Sequence, residues 1–214
     1  MFRILWMILL AVIAVAPMAF AAEQFVVDQP YAPLVLDKAQ IEGSLWLGEL
    51  QEYPHLYAFT VPASTTVRVE LRAVDHTNEQ PLFAGIMVRD RAGEGVQEVA
   101  RLGQTENWSL EKSPRSKMSY QVRQPFETTL APGAYRFEVS TPDNQGRYVL
   151  QFGTGDAGAG YFASLGDIRE IQAFHGYGWW HIFRTTHIYV PFLLIGILLV
   201  MGYTWQYARR RKIL

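Results

Sequence analysis

The residues of this 214-residue chain that could do chemistry fall into a few groups, and each demands a particular setting. Gly153-Thr154-Gly155-Asp156-Ala157-Gly158 spells GxGxxG after a run that reads as a strand. Such glycines let a pyrophosphate approach a helix N-terminus, but only inside a parallel βαβ unit with an acid on the next strand. Neither condition is met, so the segment, extended by Gly160, reads as a flexible linker. His175, His181 and His187 recur every six residues. In a helix, six steps rotate a side chain by roughly 240°, so these imidazoles do not converge on a metal or haem. Asp75-His76-Thr77-Asn78-Glu79 offers oxygen ligands from Asp75, Asn78 and Glu79 for weak Ca2+ binding, without the ordered spacing of an EF-hand; an exposed polar turn is the default. Glu49 and Glu52 read as solvated loop charges rather than a glycosidase pair.

Nucleophilic chemistry finds little support. There is no cysteine, which removes thiol nucleophiles, CxxC pairs, disulfides and thiolate zinc sites together. Neither HExxH nor GxSxG occurs, so a hydrolase would have to draw on residues such as Ser109 or His55 in an unsignalled arrangement. Trp46 and Trp108 could stack on a sugar or peptide; Trp46 sits in a strand-like run and suits a core, whereas Trp108 lies in polar surroundings. Asn107-Trp108-Ser109 is a formal glycosylation sequon. No cofactor is expected.

The elements that would position these residues follow from composition and charge. Half of the chain is apolar and 18% is charged, too apolar for a disordered protein. The net charge of -1 conceals a division: one Arg before residue 22, four basic residues after residue 208, and a middle with 14 basic against 20 acidic residues. That acidic middle carries no basic stripe, which argues against a nucleic-acid reader.

Both ends read as membrane segments. Residues 1–21 begin with Arg3, continue through an apolar run to Ala16, break at Pro17 and finish at Ala19-Phe20-Ala21, the form of a secretory signal peptide. An uncleaved anchor is the alternative. Residues 188–207 are uncharged, and 208–214 follow with Arg209, Arg210, Arg211 and Lys212. Twenty helical residues span about 30 Å, the thickness of a bilayer's hydrocarbon core. Tyr189, Trp205 and Tyr207 suit the two headgroup levels, and the four basic residues mark the cytoplasmic side. The expected topology is single-pass in the cell membrane, with the N-terminal domain outside (periplasm or exterior) and the C-terminus cytoplasmic.

Between these ends, 22–39 reads as an extended segment and 40–153 as the folded unit. Tyr57, Phe59 and Val61 alternate, as do Val67, Val69, Leu71 and Ala73 against Arg68, Glu70 and Arg72. The same period of two recurs at Tyr135, Phe137 and Val139 and at Tyr148, Leu150 and Phe152. Thr141-Pro142-Asp143-Asn144-Gln145-Gly146 between the last two runs reads as a hairpin turn. Further strands are expected at 44–47, 82–89 and 96–102, with a weaker one at 121–130 interrupted by Pro125. The fold class is mainly β: an antiparallel, jelly-roll-like β-sandwich of seven or eight strands with no convincing helix, followed by a short amphipathic helix and one transmembrane helix.

After the linker at 154–161, Leu165, Ile168, Ile171 and Phe174 fall three apart with charges between them. This gives an amphipathic helix in the juxtamembrane stretch 162–187, whose apolar face offers either a membrane contact or a docking face for a partner. It leads into an aromatic cluster that includes Trp179 and Trp180, where a headgroup layer should begin.

Gly43-Ser44-Leu45, the run from Glu52-Tyr53-Pro54 through Phe59-Thr60-Val61-Pro62-Ala63, and the alternating strand after it resemble the opening of bacterial pre-peptidase C-terminal domains. Leu130-Ala131-Pro132-Gly133-Ala134-Tyr135 through Val139, with Gly146-Arg147-Tyr148-Val149-Leu150, is similar to that family's closing strands. The resemblance covers about 40–153, implies a β-sandwich in a prokaryotic setting, and departs from the family's habit in that no protease is encoded. The overall plan also resembles the eukaryotic GOLD-domain cargo receptors, whose disulfide cysteines are missing here.

These readings lead to a non-enzymatic, membrane-anchored module that works through contacts with other envelope proteins. Alternatives are capture of a sugar, peptide or Ca2+ by the sandwich loops, a cargo-receptor-like role, and an envelope hydrolase.

Overall fold

The computed structural model describes residues 24–27, 32–74, 82–91, 95–102, 108–113, 117–123, 125–153 and 161–211. The signal-peptide stretch, the loop bearing Asp75, Asn78 and Glu79, residues 154–160 and Lys212 lie outside them.

Two sheets face one another. The first contains β1 (Gln24–Val27), β3 (Gly43–Gln51), β12 (Gln145–Gly153), β5 (Thr65–Val74), β9 (Ser119–Arg123) and β8 (Trp108–Lys112) in that order, with β10 (Phe126–Leu130) also on β5. The second runs β2 (Leu34–Leu36), β4 (His55–Val61), β11 (Gly133–Ser140), β6 (Ala84–Arg91) and β7 (Gly95–Leu102). The mainly β, two-sheet expectation therefore holds, with twelve strands among the described residues rather than seven or eight. Two pairings depart from a purely antiparallel plan, because β1 runs parallel to β3 and β2 parallel to β4.

The alternating runs form the core. Val67, Val69 and Leu71 of β5, Tyr148, Leu150 and Phe152 of β12, Tyr57 and Phe59 of β4, and Tyr135 and Phe137 of β11 interdigitate between the sheets. With a side-chain period of two, each strand gives alternate residues to this layer. Pro125 divides the expected 121–130 strand: β9 pairs with Arg72–Val74 and β10 with residues 65–69 of the same β5 edge. A proline cannot donate to the ladder, so the chain must leave the edge there.

One expectation is corrected. Residues 141–146 do not close a hairpin, because β11 belongs to the second sheet and β12 to the first; this is a corner that changes sheets. Thr141 Oγ1 accepts from the Gln145 amide at 2.9 Å and the Asn144 amide donates to the Thr141 carbonyl at 3.1 Å, a local turn that either topology would use. The segment before the sandwich supplies β1, β2 and the start of a short helix, α1 (Lys38–Glu42). Asp37 and Gln40 form a reciprocal capping box that starts this helix, each side chain bonding the other's amide at 2.8 Å. The edge strand β8 adds to the strands expected from alternation.

Beyond the sandwich come α2 (Tyr161–Phe174), a 3-10 turn (Trp179–Arg184) and α3 (Thr186–Arg211). Among the described residues no helix is long and apolar enough to cross a membrane.

Candidate functional site

The apolar face of α2 does not stand free. Leu47, Val149, Tyr120, Val122 and Met118 form a second apolar cluster, on the side of the first sheet that faces away from the sandwich core, and Leu45, Ile171, Phe174 and Tyr177 pack against it. Ile168 is 1% exposed and Leu165 half-buried. Of the four residues read as a partner face, Ile171 and Phe174 thus pack on the protein's own sheet. Spacing identifies an apolar face but not its occupant, which is why the sequence left lipid and partner open.

The end of α2 is fixed by several interactions. Gly176 takes φ 79°, and the amides of Gly176 and Tyr177 donate to the carbonyls of Ala173 and Gln172 at 2.9 and 2.8 Å. This paired closure satisfies carbonyls that the helix would otherwise leave open. Arg147 on β12 donates to the Phe174 carbonyl at 2.7 Å, pairs with Glu49 of β3 at 3.0 Å and lies over the Phe174 ring. A cation at a helix C-terminus is favoured by the helix dipole. Arg169 donates to the Tyr177 carbonyl at 3.0 Å. His175 is buried, its ring edge-on to Phe174 and Tyr120.

The chain then exposes its aromatic residues. Trp179 is 52% and Trp180 67% exposed, their ring centres are 3.7 Å apart, and Phe183 lies within 5.8 Å of both. Burial and the neighbouring Arg184 lower the pKa of His181, which packs on Tyr177. Thr185, fully buried, donates from its hydroxyl to the Ile182 carbonyl at 2.7 Å and so closes the 3-10 turn just before α3 begins. In α3 the large apolar residues Phe192, Leu193, Leu199, Met201 and Tyr203 are all more than half exposed, and Tyr189, Trp205 and Tyr207 are exposed too. Arg209, Arg210 and Arg211 fall in its last turn.

The other candidates resolve into structural roles. His55 Nδ1 and the Tyr148 hydroxyl are 2.7 Å apart, and the Tyr57 and Tyr148 hydroxyls 2.8 Å apart. All three residues are buried, with Tyr148 on one sheet and His55 and Tyr57 on the other. Burial pushes both phenols far above the ordinary tyrosine pKa, the hydrogen bond from Tyr148 partly offsetting this at Tyr57. Neutral, buried phenols are poor bases or nucleophiles, and the cluster staples the sheets. Alternation placed Tyr57 and Tyr148 inside but could not show that their hydroxyls meet each other and His55 across the sandwich.

Trp46 is buried and donates to Ser44 Oγ at 2.6 Å, as a core residue should. Trp108 is half-buried beneath the Arg123 guanidinium, 5.6 Å from the ring centre. Ser109 Oγ donates to the Val122 carbonyl at 3.2 Å. Gly153 has φ 70°, and a Cβ there would lie 1.9 Å from the Glu42 carbonyl oxygen, so this glycine permits a close crossing of α1. Among the described residues no cluster of three His, Cys, Asp or Glu side chains could hold a metal ion.

No protein-family model and no curated protein sequence matches the chain. Similar solved structures include the pre-peptidase C-terminal domain of collagenase from Bacillus anthracis, at 12% identity and TM-score 0.36, covering 59% of this chain and 98% of that one. A second is the Yersinia pseudotuberculosis-derived mitogen, at 12% identity and TM-score 0.25, covering 50% and 89%. At such identities and TM-scores neither likeness carries an argument, and the sandwich rests on its own strand pairing.

Proposed function

We propose that this protein is a β-sandwich module anchored in a membrane by α3, displayed outside the cytoplasm, and acting non-enzymatically through contacts with other envelope proteins. The observation that carries the anchor is the run of exposed large apolar side chains along α3, from Phe192 to Tyr207. Leaving so large an apolar surface in water is costly, at about 25 cal/mol per Å2. In a bilayer the same side chains are solvated by lipid, and a helix satisfies its own backbone.

Three further features support the reading. The sequence is uncharged over 188–207, enough for about 30 Å of helix. Trp179, Trp180 and Phe183 form an exposed aromatic cluster just before this stretch, and Arg209, Arg210 and Arg211 follow it. In the sandwich interior His55, Tyr57 and Tyr148 tie the two sheets together, and Trp46 bonds Ser44.

Washing membranes from cells that make the full chain with alkaline carbonate tests the anchor. Retention in the pellet is expected, and release into the supernatant overturns it. Recovery from mild detergent with reproducible stoichiometric envelope proteins is expected for the contact role, and repeated recovery of the chain alone counts against it.

A further inference from the structure

The way α2 is docked determines which end of the sandwich lies next to the lipid. Strand β12 runs from Gln145 to Gly153, and α2 then returns along the outward side of the same sheet. Its last carbonyl, Phe174, is bonded to Arg147, only two residues into β12. Arg147 in turn faces Glu49, two residues before the end of β3. At about 3.3 Å per residue, the corner at 141–144 and the turn at 52–54 therefore lie roughly 7 Å beyond the clamp. These two turns form one unit, because the Glu52 amide donates to the Asn144 carbonyl at 2.8 Å, both residues being left-handed with φ 69° and 48°. The turns at 62–64 and 131–132 lie at the other end of the strands, since Gly133 pairs with Val61 and Leu130 with Thr65. A nine-residue strand separates the two ends by roughly 30 Å.

We propose that the protein stands on its membrane with the 52–54 and 141–144 turns against the lipid headgroup layer and the 62–64 and 131–132 turns pointing away. This rests on the anchoring by α3 and adds an orientation to it. Packing of α2 back onto the sheet couples the sandwich to the aromatic cluster Trp179, Trp180 and Phe183 that follows the helix. Exposed Glu52 and Asp143 keep this end at headgroup level rather than in hydrocarbon. Arg147 is a positioning residue: it holds the helix end that holds the sandwich.

The absence of cysteine makes the test direct. Single variants Gln51→Cys and Asp143→Cys at the near end, and Ala63→Cys and Ala131→Cys at the far end, are all exposed positions. Each full-length variant carries a donor dye in phosphatidylcholine–phosphatidylethanolamine vesicles with acceptor-labelled headgroups, and Trp180→Cys serves as the membrane reference. Energy transfer at least about twofold greater from both near labels than from both far labels is expected, with Arg147→Ala narrowing the difference. Strong transfer from Trp180→Cys with equal or reversed transfer at the two ends overturns the orientation while leaving the anchor standing. Negligible transfer from Trp180→Cys overturns both.

Discussion

Arg147 donates to the Phe174 carbonyl oxygen across 2.7 Å while its guanidinium lies 5.5 Å from the centre of the Phe174 ring. One side chain on β12 thus caps α2, covers its last aromatic residue and, through Glu49, ties both to β3. A helix that the sequence places after a flexible linker becomes part of the folded unit.

Removing that tie should loosen the helix end before it affects the sandwich. Arg147→Ala is expected to cost about 1 kcal/mol, the scale of a partly exposed hydrogen bond at a helix terminus. Hydrogen exchange should accelerate at the amides of residues 172–177 and remain slow in β5 and β12. Arg147→Lys should restore protection only in part, because an ammonium lacks the planar fork that bonds and stacks together.

The cluster beneath α2 should behave as a second core. Leu47→Ala, at a fully buried position, is expected to destabilise the domain by about 2–5 kcal/mol. A chain ending at Gly153 should bind an apolar dye strongly because Leu47, Tyr120, Val122 and Val149 lose their cover. A chain continuing to Thr185 should bind less, with Trp179, Trp180 and Phe183 left as its exposed apolar cluster. Denaturant melts and dye titration check both outcomes.

Tyr148 is the central member of its staple, and the two neighbouring changes should differ accordingly. Tyr148→Phe removes the partner of both His55 and Tyr57 and is expected to cost about 1–3 kcal/mol. Tyr57→Phe leaves the His55 contact intact and should cost less. Gly48→Ala should be poorly tolerated, since its Cβ would lie 2.3 Å from the Tyr148 ring. Urea midpoints at one pH rank the three.

Alkaline pH should probe the same phenols. Both are held above the ordinary tyrosine pKa in the folded state, chiefly by burial. Above about pH 10 the unfolded chain ionises them while the folded chain keeps their protons, so stability falls as pH rises. The loss of urea midpoint between about pH 9.5 and about pH 11 should be shallower in Tyr57→Phe than in the parent protein.

The sequence disclosed those parts of this fold that depend on local periodicity. Alternation at Val67, Val69 and Leu71 and at Tyr148, Leu150 and Phe152 marks inward positions whichever strands become neighbours. Pairing is a longer-range property: Thr141-Pro142-Asp143-Asn144 makes the same tight turn whether the chain returns beside β11 or crosses to β3 and β5. Trp108-Ser109-Leu110-Glu111-Lys112 escaped notice because an edge strand with mostly exposed side chains needs no apolar alternation. The capping pair Asp37 and Gln40 carries an Asp-x-x-Gln start signal legible in the sequence itself. For α2, the apolar face was visible but its cover was not, because Leu47 and Val149 show themselves as a docking surface only once β3 and β12 lie side by side.

The anchored, outward-facing placement of the sandwich is tested most directly by labelling intact cells with a membrane-impermeant maleimide. Ala63→Cys lies on an exposed turn of the sandwich, and Ile213→Cys lies beyond the basic run in the sequence. In cells whose outer barrier admits the reagent, Ala63→Cys should be labelled at once and Ile213→Cys only after the inner membrane is permeabilised. Equal protection of both positions, or labelling of both without permeabilisation, would contradict the account.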